Sequence, residues 1–383
     1  MRAIALKEFL QLRRDRRTVA MLFLLPFLFL VVFGYAASFD VEEIPTLIVG
    51  GSAKLVESQL PKQFKVIDVR PGDDRAAAQD ALHRGEAVVA IVTPSAASQD
   101  ATVLIDGSEL FAAQAALRRI ATAQATAGGL QESTAPGDVQ LPAQAQQALA
   151  VIGKAKIDVL FNPDLRTAVV MVPGLCGIIL VFIGTIATAL GVVRERQTGT
   201  MEQLAVMPFR PRDVFLGKIA PYLAIACVDM AVIVGVGMLI FDVPFRGSVA
   251  TFALGAGLFL FVTLGLGVLI STVSQTQGQA IQLAIMTMVP QFLLSGLFFP
   301  LYAMPWGVRW IGYCLPLTWF VKIARGVMVR GAPIDALWLP LTVLAVMGTV
   351  VFTASVLRFR RELAPAAKAE TDVAAAVEDG VPA

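Results

Sequence analysis

Charged side chains are scarce in this sequence. Asp, Glu, Lys and Arg account for 16% of its 383 residues, and 56% of the residues are hydrophobic. An average soluble domain carries about 25% charged residues. The composition therefore excludes an ordinary soluble domain as the general class and indicates a membrane protein.

Cysteine and histidine are also rare, which removes several kinds of chemistry. Cys176, Cys227 and Cys314 lie in apolar sequence without a C-x-x-C motif, so they are interpreted as small buried residues. The single histidine, His83, cannot form a metal cluster alone, and we place it at the end of a surface helix. The sequence lacks nucleotide-binding and nucleophile motifs. It therefore predicts no catalytic residue, no bound cofactor and no metal.

Long uncharged runs are what the sequence does contain. A helix needs roughly 20 apolar residues to cross the hydrocarbon core of a bilayer. The polar string STVSQTQGQ at 271–279 divides the longest uncharged run, and the first run exceeds the 7–15 apolar residues typical of a cleaved signal peptide. The sequence predicts six transmembrane helices, near 18–39, 167–193, 219–241, 249–270, 280–300 and 336–357.

Basic residues cluster on one predicted side of the membrane. They concentrate in 1–17, in 194–218 and directly after 357, which places both termini in the cytoplasm by the positive-inside rule. We predict a disordered cytoplasmic tail over 358–383. One group conflicts with this orientation, because it falls on the outer side: Arg309, Lys322, Arg325 and Arg330.

The segment 40–165 then lies outside the cytoplasm and resembles a small α/β domain. Short β-branched runs alternate with helical spacing, which is typical of a sheet with helices packed on it. The predicted strands are 44–50, 64–69, 87–93 and 101–107, and the predicted helices are 52–60, 73–84 and 109–127. A loop at 128–142 and a further helix to about residue 160 lead back to the membrane.

Three residues are candidates for a translocation path. Asp229 is an ionisable group well inside a predicted span, and such groups face a cavity or a partner because intramembrane charge is costly. A purely structural carboxyl that tethers helices is the alternative. Pro173, with Gly174, interrupts the second span, and Pro290 is the first of the prolines that punctuate 289–326.

Prolines are dense over 300–330, which does not suit a plain crossing. Irregular backbone at membrane depth requires cover from protein or water. We predict a re-entrant helical pair before the last span, marked by Pro305, Trp306, Pro316 and Arg325. Its tryptophans would lie at the membrane interface, and Lys322 and Arg325 would extend to the outer headgroups. Ordinary kinked helices are the alternative.

The charged stretch RERQTGTMEQLAVMPFRPRDVFLGK, residues 194–218, separates two of these spans. Thr200 and Gln203 have capping-box spacing, and Pro208 ends the pattern, so the sequence predicts a short helix over 199–208. Two turns are too few to cross a membrane. Such a helix lies at the membrane surface or against another protein.

This stretch resembles the cytoplasmic signature of ABC-2 type permeases, the membrane subunits of a class of ATP-binding-cassette exporters. The N-terminal IALKEFLQLRRDRRTVAMLFLLPFLFLVVFGYA, the outer α/β domain and LLSGLFFPLYAMPWGVRWIGYCLPLTWFVKIARGVMVRG extend the resemblance along the chain. They are similar to the subgroup with a large extracytoplasmic domain, which includes bacterial inner-membrane multidrug efflux permeases.

The resemblance implies a non-catalytic membrane subunit that exports drug-like or lipid-like substrates from the cytoplasm or inner membrane. ATP and Mg would be bound by a separate ATPase subunit. A second permease subunit, identical or paralogous, a periplasmic adaptor and membrane lipid would be the other partners, with no nucleic acid. The resemblance also implies that residues 1–17 form the amphipathic cytoplasmic helix of the family, which lies in the membrane interface. The implied ATPase-coupling interface is Glu195, Arg196, Gly199, Thr200, Glu202 and Leu204.

Two other functions fit parts of the sequence. An ion-coupled secondary transporter would use Asp229, but it normally carries more intramembrane charges and inverted repeats. A membrane sensor or scaffold would bind a ligand with its outer domain and would not need a coupling helix.

Overall fold

The structure is a computed structural model, and it describes residues 43–58, 60–61, 63–93, 101–132, 155–198 and 211–378. The predicted cytoplasmic helix at 1–17, the first predicted span at 18–39 and the predicted coupling helix at 199–208 lie outside the described residues.

The described chain forms a sheet domain (β1 to β5 with α1 to α3) followed by a helical bundle (α4 to α10). The strands are β1 Ile44–Val49, β2 Phe64–Arg70, β3 Val89–Val92, β4 Thr102–Asp106 and β5 Lys156–Leu160. The helices of the sheet domain are α1 Ala53–Glu57, α2 Arg75–Arg84 and α3 Leu110–Glu132. The bundle comprises α4 Thr167–Gln197, α5 Pro211–Phe241, α6 Val249–Val273, α7 Gln277–Leu294, α8 Trp306–Tyr313, α9 Pro316–Arg325 and α10 Trp338–Glu378.

The strands lie in the order β2-β1-β3-β4-β5, and only the β3–β4 pair is antiparallel. The four predicted strands and the helices between them are therefore confirmed as an α/β arrangement. Alternate residues point to opposite faces. Ile48 and Ile105 pack in a core under α3, whereas Leu47 and Leu104 join the core that continues into the bundle.

The prediction for the segment before the bundle was wrong at its end. A helix was expected to continue to about residue 160, but Lys156–Leu160 is a strand that pairs with β4 in parallel register. Polar and apolar residues alternate from Lys156 to Val159, which suits a strand. The free edge of β4 supplies the hydrogen-bonding partner that decides between the two structures.

Gly50 occupies a turn after β1 that excludes a side chain. Its φ is +102°, and a Cβ there would lie 2.1 Å from the Thr93 carbonyl oxygen. We expect Gly50→Ala to destabilise the sheet domain, because backbone strain of this kind costs about 1–3 kcal/mol before the clash is added. This loss of stability is measured by hydrogen exchange of the β1 and β3 amides in the full chain.

Gly72→Ala is the matched control, since nothing lies within 4 Å of the Cβ position at Gly72. We expect unchanged exchange for that variant. If the β1 amides are equally protected from hydrogen exchange in the two variants, a side chain at position 50 causes no strain.

The bundle is built around α4 and α6, which pack against each other and contact most of the other helices. Close approach of their backbones is possible because Gly267 has no side chain, and a Cβ there would lie 2.8 Å from the Thr185 carbonyl oxygen. Aromatic stacking joins α6 to α9. The rings of Phe259 on α6 and Phe320 on α9 stack with their centroids 4.4 Å apart.

Four helices within the described residues are long and apolar enough to cross a membrane: Thr167–Gln197, Ala220–Phe241, Val249–Val273 and Ile334–Arg358. The chain is thus a multi-pass membrane protein. The predicted division of the long uncharged run is confirmed, because Ser274 ends α6 and the Thr276 hydroxyl caps α7. The predicted fifth span is shorter than expected, since α7 ends at Leu294.

Two predicted irregularities differ from the structure. Pro173 does not interrupt the second span, because α4 continues from Thr167 to Gln197. Pro173 is the seventh residue of α4, so it removes only a hydrogen bond close to the helix start. The last helix continues to Glu378, through most of the segment predicted to be disordered.

Candidate functional site

The segment predicted to couple to an ATPase is described only at its beginning. Glu195 and Arg196 lie in the last turn of α4, whereas Gly199, Thr200, Glu202 and Leu204 are outside the described residues. Arg196 Nη1 donates a 3.1 Å hydrogen bond to the Ser274 carbonyl oxygen. The end of α4 is therefore attached to the short connection between α6 and α7.

A second contact strengthens this attachment. Gln277 Nε2 donates a 2.9 Å hydrogen bond to Gln197 Oε1. Gln197 is the last residue of α4, directly before the capping residue Thr198. Two connections that are distant in sequence thus meet at one end of the bundle. Any force applied to the segment after Gln197 would reach both α4 and α7.

The candidate residues of the translocation path do not form one cluster. Asp229 is half-buried on α5, and its carboxylate has no hydrogen bond or ion pair within the described part of the chain. The apolar span of α5 is the least buried of the four candidate spans. Pro173 and Pro290 lie inside α4 and α7, two helices that pack against each other.

The proline-rich region contains two short helices, as the sequence predicts. Pro305 precedes α8, Trp306 is its first residue, and Pro316 is the first residue of α9. Trp306 is 76% exposed and Trp310 is 58% exposed. Exposed tryptophans on one short helix are typical of a membrane interface.

The prediction for the side chain of Arg325 was wrong. It was expected to extend to the headgroups, but it is 4% exposed at the end of α9. Its guanidinium donates to the carbonyl oxygens of Leu297 at 2.8 Å and Gly296 at 3.3 Å, and it lies 3.5 Å from a carboxylate oxygen of Glu109. Three acceptors inside the protein thus replace the solvent that the side chain was predicted to reach.

Arg330 forms a second buried contact between the bundle and the sheet domain. Its Nη1 lies 3.4 Å from Oδ2 of Asp106, which is 1% exposed at the end of β4. The Arg330 carbonyl oxygen is also 2.7 Å from Nδ1 of His83, in the last turn of α2. The predicted position of His83 at a helix end is confirmed, and its ring contributes to this junction.

Lys322 completes a group of cations at the junction. Its Nζ lies 4.6 Å from the ring centroid of Trp319 and 5.3 Å from that of Tyr313, so both rings offer cation–π contacts. Trp319 is buried, contrary to its predicted interfacial position, and its Nε1 donates to the Tyr313 carbonyl oxygen. We call Asp106, Glu109, Lys322, Arg325 and Arg330 the junction cluster.

Burial controls the electrostatics of these cations. Desolvation lowers the pKa of Lys322 and that of Arg325, and the nearby Glu109 carboxylate only partly opposes this shift. The positive charge of Arg330 lowers both pKa values further. The carboxylates present therefore do not fully compensate the positive charge of the cluster.

The sequence contained one indication of the junction cluster. Arg309, Lys322, Arg325 and Arg330 were unexplained positive charges on the predicted outer side. Buried positive charge requires buried acceptors, and IDGSEL, which follows the start of β4, supplies Asp106 and Glu109. Pairing the two groups required knowledge of how the domains dock.

Metal chemistry has no structural support in the described part of the chain. No three His, Cys, Asp or Glu side chains come together there as possible metal ligands. The junction cluster is dominated by cations, which suits the binding of an anion or the docking of two domains.

Comparison with known proteins places these features in a family. A family model described as "ABC-2 family transporter protein" matches residues 16–357, which include both the sheet domain and most of the bundle. The chain is 28% identical over 343 residues to the probable multidrug ABC transporter permease YbhS of Escherichia coli K12. That alignment covers 86% of this chain and 88% of YbhS.

Two further relatives from the same organism align over shorter regions. The probable multidrug ABC transporter permease YbhR is 32% identical over 203 residues, 53% of this chain and 55% of YbhR. The inner membrane transport permease YhhJ is 32% identical over 206 residues, 53% of this chain and 54% of YhhJ. The chain thus spans about half the length of these two relatives.

Proposed function

This chain belongs to the ABC-2 transporter family, and we propose that it is the membrane-spanning permease subunit of an ATP-binding-cassette exporter. The observation that carries the proposal is the family match across 16–357. In this function the chain is not an enzyme, and a separate ATPase subunit binds ATP and Mg and hydrolyses the nucleotide.

The proposed cargo is a drug-like or lipid-like amphiphile taken from the cytoplasm or the inner membrane. Support comes from relatives whose names describe multidrug and inner membrane transport permeases. The apolar spans of α4, α5, α6 and α10 provide surfaces along which such a molecule can pass. The same relatives support a bacterial inner-membrane location.

The proposed site of energy input is the segment from Glu195 to Leu204, which docks on the ATPase. The contacts of Arg196 with Ser274 and of Gln197 with Gln277 support this role. They connect the end of α4 to α7, so a displacement of the docked segment moves two helices together.

Transport then follows from an equilibrium between two states. ATP binding favours the state in which the two ATPase subunits are closed, and it shifts the permease only by its differential affinity for the two states. The docked segments transmit this shift to α4 and α7. A second permease subunit, identical or paralogous, forms the other wall of the path, and a periplasmic adaptor extends the path from the outer side.

Reconstitution tests this function directly. The chain is co-expressed with candidate ABC ATPases and purified, and the complex is placed in proteoliposomes with a fluorescent amphiphile. We expect ATP-dependent accumulation of the dye that is lost with a hydrolysis-deficient ATPase. Dye movement driven by a proton gradient without ATP would instead support a secondary transporter.

Asp229 provides a separate prediction about the path. We expect Asp229→Asn to change the rate of ATP-dependent export by several-fold while the membrane content of the protein stays normal. The reason is that this half-buried carboxylate has no partner within the described residues and meets whatever passes along α5. Dye export from proteoliposomes at equal protein content measures it.

Asp242→Asn is the matched control for Asp229→Asn. Asp242 is an exposed aspartate directly after the same helix, 3.6 Å from Arg166. We expect normal export from this variant. If export by Asp229→Asn is unchanged for every dye tested, Asp229 has only a structural role.

A further inference from the structure

A cavity lies where the sheet domain meets the proline-rich part of the bundle. Its volume is about 120 Å³, and it is lined by the residue before α3, by the connection 295–302 between α7 and α8, and by the region from the end of α8 to Arg330. A cavity of about 10–15 Å³ already holds one water molecule, so this space admits a larger polar group. The side chains that give it chemical character are Glu109, Ser295, Tyr302, Lys322, Arg325 and Arg330.

The wall of this cavity is positively charged. Lys322, Arg325 and Arg330 face a single carboxylate, Glu109, among the lining residues. Asp106 lies behind the wall, where it pairs with Arg330 at 3.4 Å and accepts from the Ser108 amide at 2.8 Å. Three cations and two carboxylates leave one positive charge without compensation.

Four polar groups of the lining residues are buried without a partner. They are Arg325 Nε, Arg330 Nε, the Tyr302 hydroxyl and the Ser295 hydroxyl. Arg325, Arg330 and Ser295 are each more than nine-tenths buried. Buried polar groups in native proteins normally have partners, so four unpartnered groups around one cavity indicate a ligand that accepts hydrogen bonds.

The charge and the donors select the chemistry of this ligand. A singly charged anion balances the cavity, and an oxyanion with several oxygens can accept from arginine and hydroxyl donors in different directions. We propose that the cavity binds a phosphate group, which the headgroup of a phospholipid supplies. The exposed Trp306 and Trp310 on α8 support this source, because they place the adjacent helix at the membrane interface.

This phosphate site is separate from the export function, because neither transport nor an ATPase is needed for a phosphate group to bind there. A phosphate group there would bridge Arg325 and Arg330, two bundle residues whose carboxylate partners, Glu109 and Asp106, come from the sheet-domain side of the junction. Free inorganic phosphate offers the same chemistry without the lipid, so the test separates the two sources.

Tyr302→Phe and Ser295→Ala are the variants of choice. Each removes a hydroxyl that has no hydrogen-bond partner within the described residues, so each variant is expected to fold as well as the original protein. Each also removes one hydrogen bond to the bound anion, and we expect about a tenfold weaker affinity per variant, equivalent to about 1.4 kcal/mol. Tyr222→Phe, on α5 away from the cavity, is the matched control.

The first measurement uses the full chain, delipidated in detergent. Thermal unfolding is followed against inorganic phosphate, with chloride at equal ionic strength as the reference. The second measurement counts the phospholipids that the full chain retains by native mass spectrometry after extraction from phosphatidylglycerol vesicles.

The proposal with its lipid source predicts that phosphate stabilises the protein and that one phospholipid is retained. Both effects should be reduced in Tyr302→Phe and Ser295→Ala but not in Tyr222→Phe. Stabilisation without a retained lipid supports the phosphate site and assigns it to free phosphate. If phosphate and chloride act alike and lipid retention is equal in all four proteins, the proposal is wrong.

Discussion

Glu202→Arg is expected to abolish ATP-dependent export while the protein still inserts into the membrane. Glu202 belongs to the segment that we propose as the docking surface of the ATPase. Reversing a charge at an interface places like charges together, and loss of one partner of a buried pair costs about 2–5 kcal/mol. A loss of about 1.4 kcal/mol already weakens binding tenfold, so co-purification of the ATPase should fail.

The control for Glu202→Arg makes the same charge change elsewhere. Glu57→Arg lies on an exposed position at the end of α1 in the sheet domain. We expect that variant to retain the ATPase and to export at the normal rate. Equal export by the two variants would show that the charge of Glu202 has no part in docking.

Gly199→Pro tests the same segment through its backbone. The last helical residue of α4 is Gln197, and Gly199 follows the capping residue Thr198. Proline fixes φ and removes an amide donor, so the turn that leads to the predicted helix cannot form as before. We expect ATPase activity that no longer responds to the transported dye, measured in the reconstituted complex.

Arg330→Met is expected to have the largest effect on stability. Its partner Asp106 is almost completely buried, and the substitution leaves that carboxylate without a positive charge. Breaking a buried pair on one side costs about 3–5 kcal/mol. We therefore expect a large fall in the unfolding temperature of the full chain, with faster hydrogen exchange in α2 and β4.

Two further variants separate the lost ion pair from lost packing. Adding Asp106→Asn to Arg330→Met removes the unpaired charge but keeps a side-chain oxygen for the Ser108 amide, so we expect partial recovery of stability. Arg70→Met breaks exposed pairs with Asp68 and Glu86 and should cost at most about 1 kcal/mol. If the double variant is no more stable than Arg330→Met, charge is not the cause.

Much of the fold could be predicted because its signals are local. Uncharged runs identify α4 and α6, and side-chain caps at Ser248 and Thr276 define the starts of α6 and α7. Strand β1 is evident from its β-branched run. These features depend on hydropathy and capping chemistry, which act within a few residues.

Strand β5 shows where local signals fail. Its five residues are compatible with either a strand or the end of a helix, and pairing with the edge of β4 favours the strand. The course of α4 through Pro173 is a second case, since the many helix contacts of α4 outweigh one missing hydrogen bond. In both cases, contacts with other elements of the fold determine the local structure.

The sequence by itself determined the class of the protein, four of its membrane spans, its sheet domain and its family. Only the tertiary structure decided what the charges over 309–330 do. Arg325 meets Glu109 across 216 residues and Arg330 meets Asp106 across 224. Pairs at that separation leave no periodic signal, because they depend on how the sheet domain docks on the bundle, and that docking is set by the packing of both domains.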